Sequence, residues 1–346
     1  MTQLPRVPLS VLDIAPVRKG LTPAHSLRET IDLARRVEEL GYHRYWLAEH
    51  HNSPTVASCA PAVLIGQIAS VTSAIRVGSG GVMLPNHSPL IVAEQFGTLA
   101  AIHPGRIDLG IGRAPGTDPK TAQWLRRSAA SMAPDEFPRQ LTELLRYFIG
   151  PADDEPIPPV TAIPALGNPV PVWILGSGAS SAALAASFGL PYAFAHHFGA
   201  HMTVPAMRLY RESFQPSAIL DKPYAIVAAM VIAGKSDEHA SWLAGPVGVG
   251  ALDVTNDRHL PYCTNVEAAA YTFSAKDKEF VSGYLDSQII GGPDTVRRKT
   301  ADLLAASQAD ELMAITITYD HEDRVRSYEL FAEAVAVSSP AGAQAG

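Results

Sequence analysis

Short apolar runs alternate along this chain with longer segments in which apolar residues recur every three or four positions. The first run, VPLSVLDI at 7–14, is rich in Val, Leu and Ile and is typical of a buried strand. A helix is predicted from about Thr22, with Pro23 at its first position and Gly41 at its end. One face of this helix is apolar, and its residues are Leu27, Ile31, Ala34, Val37 and Leu40.

The same alternation continues along the chain and predicts eight strands, each followed by a helix. The strands start near residues 7, 44, 75, 106, 171, 191, 224 and 311. Strict alternation of strand and helix implies a parallel sheet, and eight such units imply closure into a (β/α)8 TIM barrel. An open, doubly wound α/β sheet is the alternative.

Two segments interrupt this pattern. Residues 151–171 contain seven prolines, so we expect a stiff surface connection rather than a helix. Residues 235–290 form a predicted helical insertion between the seventh strand and the eighth unit, and insertions at this end of a barrel often become lids. We therefore expect one barrel domain over 1–336, with a lid at 235–290 and a disordered tail at 337–346.

The amino-acid composition limits the binding partners and the cellular compartment that we expect for this protein. The 346 residues are 47% hydrophobic and carry a formal net charge of −7, which argues against a nucleic acid or an anionic membrane as partner. Cys59 and Cys263 are too few for a disulfide framework and lack metal-ligand spacing. We find no signal-peptide pattern and no apolar run of the roughly 18 residues that a membrane helix needs. A cytoplasmic protein without a membrane segment is expected.

Three groups that can move protons follow the second predicted strand: Glu49, His50 and His51. Active sites of barrels lie at these strand ends. Neighbouring side chains on a strand point apart, so the adjacent histidines are poor metal ligands and we expect no metal site. Two interpretations remain. The segment is either a hydrogen-bonded turn without chemistry, or it holds a histidine that acts as general acid or base, oriented by Glu49 or by the backbone.

The segment WILGSGASSAALAA at 173–186 leads from a strand through a glycine-rich turn into a helix. Free amides and a partial positive charge at a helix N-terminus bind phosphate. The turn half-matches G-x-G-x-x-G, with Ser181 in place of the third glycine, and no acid follows about 20 residues later to hold a ribose. The pattern favours a phosphate over a dinucleotide, and a serine-capped turn that binds nothing is the alternative.

Two further strand ends carry candidate ligand contacts. Arg113 follows the fourth strand and could clamp a phosphate, or could form a surface salt bridge, whereas Asp108 earlier on that strand is expected to be structural. The third strand, VGSGGVMLPNH at 77–87, has glycines that indicate either a flat ligand against the backbone or a loose strand end.

Together these segments resemble the bacterial luciferase-like monooxygenase family of flavin-dependent (β/α)8 barrels. The resemblance covers nearly the whole chain and is closest at 42–118 and 171–200. LAEHHN resembles the end of the family's second strand, where the first histidine is catalytic, which implies that role for His50. VGSGGVMLP resembles the third strand, where a non-proline cis peptide supports the flavin ring, and the matching pair is Gly80-Gly81.

The resemblance also implies contacts with the rest of the cofactor. HPGRIDLGIGR resembles the fourth-strand motif whose arginine reaches the cofactor phosphate, which is Arg113 here. Arg139, in FPRQLTELL, matches a further arginine that contacts the flavin. GSGASS resembles the family's phosphate turn, so the implied phosphate contacts are Gly176, Ser177, Gly178 and Ser181.

Two residues depart from the pattern of luciferase itself. The luciferase catalytic subunit has a reactive cysteine where this chain has Gly112, and its phosphate turn carries a glutamate where this chain has Ser177. Light emission is therefore not implied.

The implied activity is that of a flavin-dependent monooxygenase. Reduced FMN from a separate reductase would react with O2 to give a C4a-peroxyflavin, and one oxygen atom would pass to a small organic substrate. A deazaflavin-dependent hydride-transfer oxidoreductase and a flavin-binding protein without turnover stay open. The family resemblance and the weakly charged, apolar helices at 60–72 and 89–102 also indicate a homodimer.

Overall fold

Eight parallel strands close into a barrel in the computed structural model, which describes residues 7–126, 136–149, 159–256 and 258–336. Each strand pairs with its neighbour in the order given, and the last pairs with both β7 and β1 and so completes the ring. This closure confirms the predicted TIM barrel. The barrel strands are β1 Leu9–Asp13, β2 Arg44–Leu47, β3 Arg76–Met83, β4 Ile107–Gly112, β5 Val172–Gly176, β6 Tyr192–Ala195, β7 Ala225–Ala233 and β9 Glu311–Ile315.

Helices follow the strands and cover the outside of the barrel. Five begin at a proline, whose fixed φ suits the first turn and whose missing N–H is not needed there. Within the described ranges, no helix has both the length and the apolar character that crossing a membrane requires. The helices are α1 Pro23–Glu39, α2 Pro61–Val71, α3 Pro89–Ile102, α4 Pro119–Arg126, α5 Glu136–Ile149, α6 Ala179–Ser187, α7 His196–Gly199, α8 Thr203–Glu212, α9 Asp237–Thr255, α10 Asn265–Ala270, α11 Ala275–Asp286, α12 Pro293–Ser307 and α13 His321–Ala336.

The sixth strand starts near residue 191 as predicted, but it is shorter than the apolar segment YAFAHH at 192–197, which the sequence pattern indicates as a strand. β6 ends at Ala195, and the next two residues begin the short helix α7. His196 Nδ1 lies 2.7 Å from Thr203 Oγ1, and His197 Nδ1 lies 2.9 Å from the Ala228 carbonyl oxygen. These two contacts hold the turn against α8 and β7, so the chain leaves the sheet one pair of residues early.

The segment between β7 and α12 contains a strand that the sequence pattern did not predict. β8, Ile289–Gly291, pairs in parallel with the last three residues of β7 and lies outside the barrel ring. Three helices, α9, α10 and α11, form most of the described part of the predicted insertion. The barrel therefore carries a small extension at the carboxyl end of β7.

The proline-rich connection is only partly the surface segment that we expected. Residues 151–158 lie outside the described residues, but Ile163–Ala165 form a 3-10 turn. Ala162 and Ala165 are fully buried, and a Cβ on Gly97 of α3 would lie 2.5 Å from the Ala165 nitrogen. This part of the connection packs against α3 so closely that glycine is required there.

A buried group of charges fills the barrel interior near the N-terminal end of β2. Arg44 Nη1 donates to Asp108 Oδ2 at 2.8 Å, and Arg44 Nε donates to Glu311 at 3.0 Å. The indole of Trp46 also donates to Asp108, at 3.1 Å. Asp108 and Glu311 are fully buried, which confirms that Asp108 is structural. We call Arg44, Asp108 and Glu311 the interior ion cluster, and it lies at the end of the barrel away from the strand carboxyl termini.

Candidate active site

His50 lies where β2 ends and its loop begins. Along β2, Trp46 and Ala48 belong to the interior core, whereas Tyr45 and Leu47 pack outside against helices. Side-chain alternation therefore directs His50 toward the barrel interior. Its amide donates to the Ser58 carbonyl at 3.0 Å, which fixes the backbone at this position.

The imidazole of His50 is kept neutral by its surroundings. Burial lowers its pKa, and a hydrogen bond with the Gly116 backbone and the charge of Glu49 only partly oppose that effect. Glu49 does not hydrogen-bond to His50, so of the two orienting groups that the sequence suggested, the backbone fits this arrangement. A neutral imidazole in this position can accept or deliver a proton.

Glu49 instead joins two other histidines. The Nε2 atoms of His51 and His87 each lie 2.8 Å from its Oε1 atom, and the Met83 amide donates to Oε2 at 3.1 Å. Burial acts to raise the pKa of Glu49, but these hydrogen bonds outweigh it and lower the pKa to about 2. The carboxylate is therefore charged and links the loop after β2 to the end of β3.

The loop after β4 closes over this arrangement and needs a glycine to do so. Gly116 has φ +64°, and a Cβ there would lie 2.5 Å from the Glu49 carbonyl oxygen. The His51 amide donates to the Gly116 carbonyl at 3.0 Å, and Thr117 Oγ1 donates to the His51 carbonyl at 2.7 Å. Loops from β2 and β4 are thus fixed to each other around the histidines.

A second imidazole faces the same region from the opposite wall. His197 follows β6, which is four strands from β2 in the eight-stranded ring. Burial lowers the pKa of His197 to about 4, and the charge of His50 contributes to that shift. His197 is neutral at physiological pH, with Nδ1 bonded to the Ala228 carbonyl.

We expect His197 to make the protein less stable as the pH falls. The unfolded chain takes up a proton near pH 6.5, whereas folded His197 does so only near pH 4, so acid favours unfolding between these values. Between pH 6.5 and pH 4 the free energy of unfolding should fall by about 3 kcal/mol. Urea unfolding of the wild type and His197→Gln across this range should show a flatter pH dependence for the variant. Parallel curves would contradict this assignment.

The glycine-rich turn after β5 leads into α6 as predicted. Gly178 is the residue before the helix, no side chain caps the helix N-terminus, and a Cβ on Gly178 would meet nothing within 4 Å. Ser177 is exposed, whereas Ser181 Oγ donates to the Gly178 carbonyl at 2.8 Å and lies 3.0 Å from the Tyr192 hydroxyl. Gly176 accommodates Ser181, because a Cβ there would lie 2.0 Å from Ser181 Oγ. Open space and free amides therefore lie at Ser177 and Gly178.

The two predicted arginines have different surroundings. Arg113 follows β4, is exposed, and its guanidinium has no hydrogen bond or ion pair with any residue in the described part of the chain. Arg126 Nη2 donates to the Arg113 carbonyl at 3.2 Å and so fixes its backbone. Arg139 lies on α5, where its Nε donates to Glu136 at 3.0 Å, and its side chain is 68% exposed. No contact among the described residues joins Arg139 to the barrel mouth.

The third strand has the backbone geometry that the resemblance implied. The peptide bond between Gly80 and Gly81 is cis. A Cβ on Gly80 would lie 2.6 Å from Leu12 Cδ1, and one on Gly81 would lie 2.7 Å from the Gly110 carbonyl oxygen. The close approach of the β4 backbone therefore requires glycine at position 81, whereas a side chain at position 80 would displace Leu12.

Two site residues were not identified from the sequence. His87 follows the short 3-10 turn after β3, and its position near a strand end was the available signal. His197 lies in YAFAHH, which the sequence pattern placed on the sixth strand, and no role was assigned to it. Both positions depend on how separate strand ends meet in space.

Comparisons with known proteins identify the family. A family profile described as luciferase-like monooxygenase matches residues 8–311. A Bacillus subtilis (strain 168) protein described as uncharacterized protein YvbT is 51% identical over 327 residues, which cover 94% of this chain and 96% of that protein. A luciferase-like monooxygenase of Escherichia coli (strain K12) is 42% identical over 324 residues, with 94% and 96% covered.

Solved structures share the fold over nearly the full length. The crystal structure of apo-MsnO8 has a TM-score of 0.86 and 36% identity, and the match covers 97% of this chain and 100% of that one. The oxygenating constituent of 3,6-diketocamphane monooxygenase from Pseudomonas putida, solved in complex with FMN, has a TM-score of 0.70 at 18% identity, which shows a shared fold. The profile match and these relatives show that the chain is an oxidoreductase that belongs to the luciferase-like monooxygenase family.

Proposed function

We propose that this enzyme is an FMN-dependent monooxygenase that oxygenates a small organic substrate with reduced FMN from a separate reductase. The observation that carries the proposal is the meeting of three features at one end of the barrel. These are the uncapped N-terminus of α6, the unpaired Arg113 guanidinium among the described residues, and the partly buried, neutral imidazole of His50. Together they suit an anionic tail, a flat ring and a proton transfer.

The residues at the mouth fit an FMN molecule. The amides of Ser177 and Gly178 and the α6 dipole would hold the phosphate, and the absence of a Cβ at Gly178 leaves room for it. Arg113 would add a charge-assisted contact. The Gly80-Gly81 backbone would support the ring. Arg139 would need to leave Glu136 to reach the cofactor, so we give it no role here.

Reduced flavin, when bound, supplies the electrons that activate O2, and the chain supplies the surroundings. His50 would accept a proton at the ring nitrogen that is not bonded to Gly116, and the resulting imidazolium would pass that proton to an oxygen atom on which negative charge develops. His197 would keep its Nε2 lone pair toward the cavity, because Nδ1 is bonded to Ala228. Its low pKa keeps it uncharged, so it would not compete for that proton.

The insertion at 235–290 would act as a cover that excludes water. The Tyr262 amide donates to the Val17 carbonyl at 3.1 Å, and the Lys19 amide donates to the Tyr262 carbonyl at 2.8 Å. These bonds join the insertion to the loop after β1, so it spans from the end of β7 toward the end of β1. By keeping water from the barrel mouth, this cover would favour oxygen transfer to the substrate over release of hydrogen peroxide.

A separate reductase fits the ligand contacts at the mouth. The glycine-rich turn suits one phosphate, and the segment after it, YAFAHHFGAH, has no acid for the ribose of a nicotinamide dinucleotide. The enzyme would therefore receive its flavin already reduced.

A homodimer through α2 and α3 is also proposed. Val63, Ile91 and Ile102 on these helices are 73%, 47% and 64% exposed, which is unusual for neighbouring aliphatic side chains on one outer face. Light scattering should give twice the chain mass, and a monomer at micromolar concentration would contradict this part of the proposal.

The phosphate contacts predict a specific loss of affinity. Arg113→Met should lower the affinity for reduced FMN by about 10- to 100-fold, because a charge-assisted contact with the phosphate is lost. Reduced riboflavin, which lacks the phosphate, should bind both proteins equally. Anaerobic absorbance titrations measure both ligands, with Arg139→Met as the matched control. If the variant lost affinity for reduced riboflavin to the same extent, Arg113 would not contact the phosphate.

The activity is tested by supplying reduced FMN with a flavin reductase under 18O2 and a panel of thioethers, aldehydes, ketones and alkanes. We expect one 18O atom in the product of at least one substrate. Reoxidation of all flavin to peroxide across the panel would favour a flavin-binding protein without turnover. Hydride transfer from reduced deazaflavin, with no oxygen incorporation, would favour the alternative oxidoreductase.

A further inference from the structure

We propose that Glu49, His51 and His87 bind a divalent transition-metal ion through one carboxylate oxygen and two imidazole nitrogens. We call these residues the two-histidine carboxylate cluster. It lies beside His50 but takes no part in the flavin contacts proposed above. The sequence expectation of no metal site considered only the adjacent histidines, which point apart, and did not include His87 from the next strand end.

The donor atoms already converge. Glu49 Oε1, His51 Nε2 and His87 Nε2 all lie within 4.8 Å of one another, and each nitrogen is 2.8 Å from the oxygen. With metal–ligand bonds of about 2.1 Å, a 2.8 Å separation corresponds to a ligand–metal–ligand angle of about 84°. The two angles between the carboxylate oxygen and each imidazole nitrogen would thus be near the right angles of octahedral coordination, in which two histidines and one carboxylate hold first-row metals.

The charge at this place is otherwise poorly balanced. Three other fully buried carboxylates, on Asp13, Asp108 and Glu311, each contact an arginine, at 2.6, 2.8 and 3.0 Å. Glu49 is equally buried, but its ion-pair partners among the described residues are imidazoles alone. The imidazoles and the Met83 amide hydrogen-bond to the Glu49 carboxylate, but no arginine or lysine among the described residues neutralises its charge. A divalent cation would supply that charge and use both imidazole nitrogens as ligands.

The two-histidine carboxylate cluster is accessible to solvent, and the β3 backbone holds its carboxylate in place. The His51 and His87 side chains are 19% and 34% exposed, so an ion and its water ligands could enter from solvent. The Met83 amide bonds to Glu49 Oε2, which leaves Oε1 as the ligand atom. The bound ion would tie the loop after β2 to the turn after β3 and so stiffen the backbone that carries His50.

The test is a titration of untagged enzyme with ZnCl2 by calorimetry, after treatment with a chelator and desalting. We expect one saturable equivalent, and an increase in Tm on binding. Glu49→Gln and His87→Asn should each weaken the affinity by at least about 100-fold, because each removes a direct ligand. Cobalt(II) in place of zinc should give a visible absorption band that both variants lose.

His103→Asn is the matched control, because His103 lies after α3 at the opposite end of β4 and outside the cluster. It should bind zinc like the wild type. Absence of saturable binding by the wild type would overturn the proposal, as would wild-type affinity in His87→Asn. If Glu49→Gln does not fold, His87→Asn still tests the proposal, because a substitution at this partly exposed residue should not disrupt the core. Because no flavin is present, failure here leaves the monooxygenase proposal untouched.

Discussion

Replacing His50 with asparagine is expected to lower the rate of oxygenated product formation by about 100- to 10,000-fold. Asparagine keeps a polar group near the Gly116 backbone but cannot carry the proton that the imidazole would hold. A larger share of the supplied electrons should then appear as hydrogen peroxide. The measurement compares labelled product with peroxide during turnover, at saturating reduced FMN.

The variant should bind reduced FMN within a few-fold of the wild type, because the proposed phosphate contacts lie on β4 and α6. His201→Asn is the control, since His201 is exposed and lies beyond the short helix that carries His197. It should keep wild-type product formation. If His50→Asn kept the wild-type ratio of product to peroxide, His50 would have no part in the chemistry.

Replacing Arg44 with methionine should destabilise the fold by about 3–5 kcal/mol, because it leaves a buried carboxylate without its charge partner. Asp108 would keep a second arginine, Arg76, whose Nη2 lies 2.5 Å away. Glu311 would keep only hydrogen bonds to Ser10 and Tyr224. Methionine is unbranched and apolar and fills much of the arginine's volume, so most of the loss comes from the missing charge and its hydrogen bonds. Urea unfolding at neutral pH gives the difference directly.

A surface arginine provides the comparison for this large effect. Arg326 is 45% exposed and pairs with Glu329 and Glu333 on the same helix. Arg326→Met should cost about 1 kcal/mol or less, because solvent screens an exposed pair. Equal losses at the two positions would mean that the interior ion cluster contributes no more than a surface pair.

The barrel could be predicted from the sequence because its strands obey a simple rule. Parallel strands buried on both faces are short apolar runs, and each is followed by a helix whose start carries a proline or a cap. Strands such as β7, with every residue buried, give an unambiguous signal. β8 was not found because three residues, Ile289–Gly291, are too few to show a period.

The candidate site was predictable where one strand end carries its own signal. The glycine turn before α6 and the Gly80-Gly81 pair were identified from local patterns and a family resemblance. His87 and His197 were not identified because their places in the site depend on residues from other strands, and no local sequence pattern indicates those contacts. The sequence left open whether Glu49 or the backbone orients a histidine, because the hydrogen bonds between Glu49 and the His51 and His87 rings depend on the paths of two loops.

The most direct measurement is a crystal structure of the enzyme soaked anaerobically with reduced FMN. The account predicts the phosphate within hydrogen-bond distance of the Ser177 and Gly178 amides and of Arg113. It also predicts the ring against the Gly80-Gly81 backbone, with the His50 imidazole at its edge. A phosphate bound away from the start of α6, or an imidazole turned out of the cavity, would contradict it.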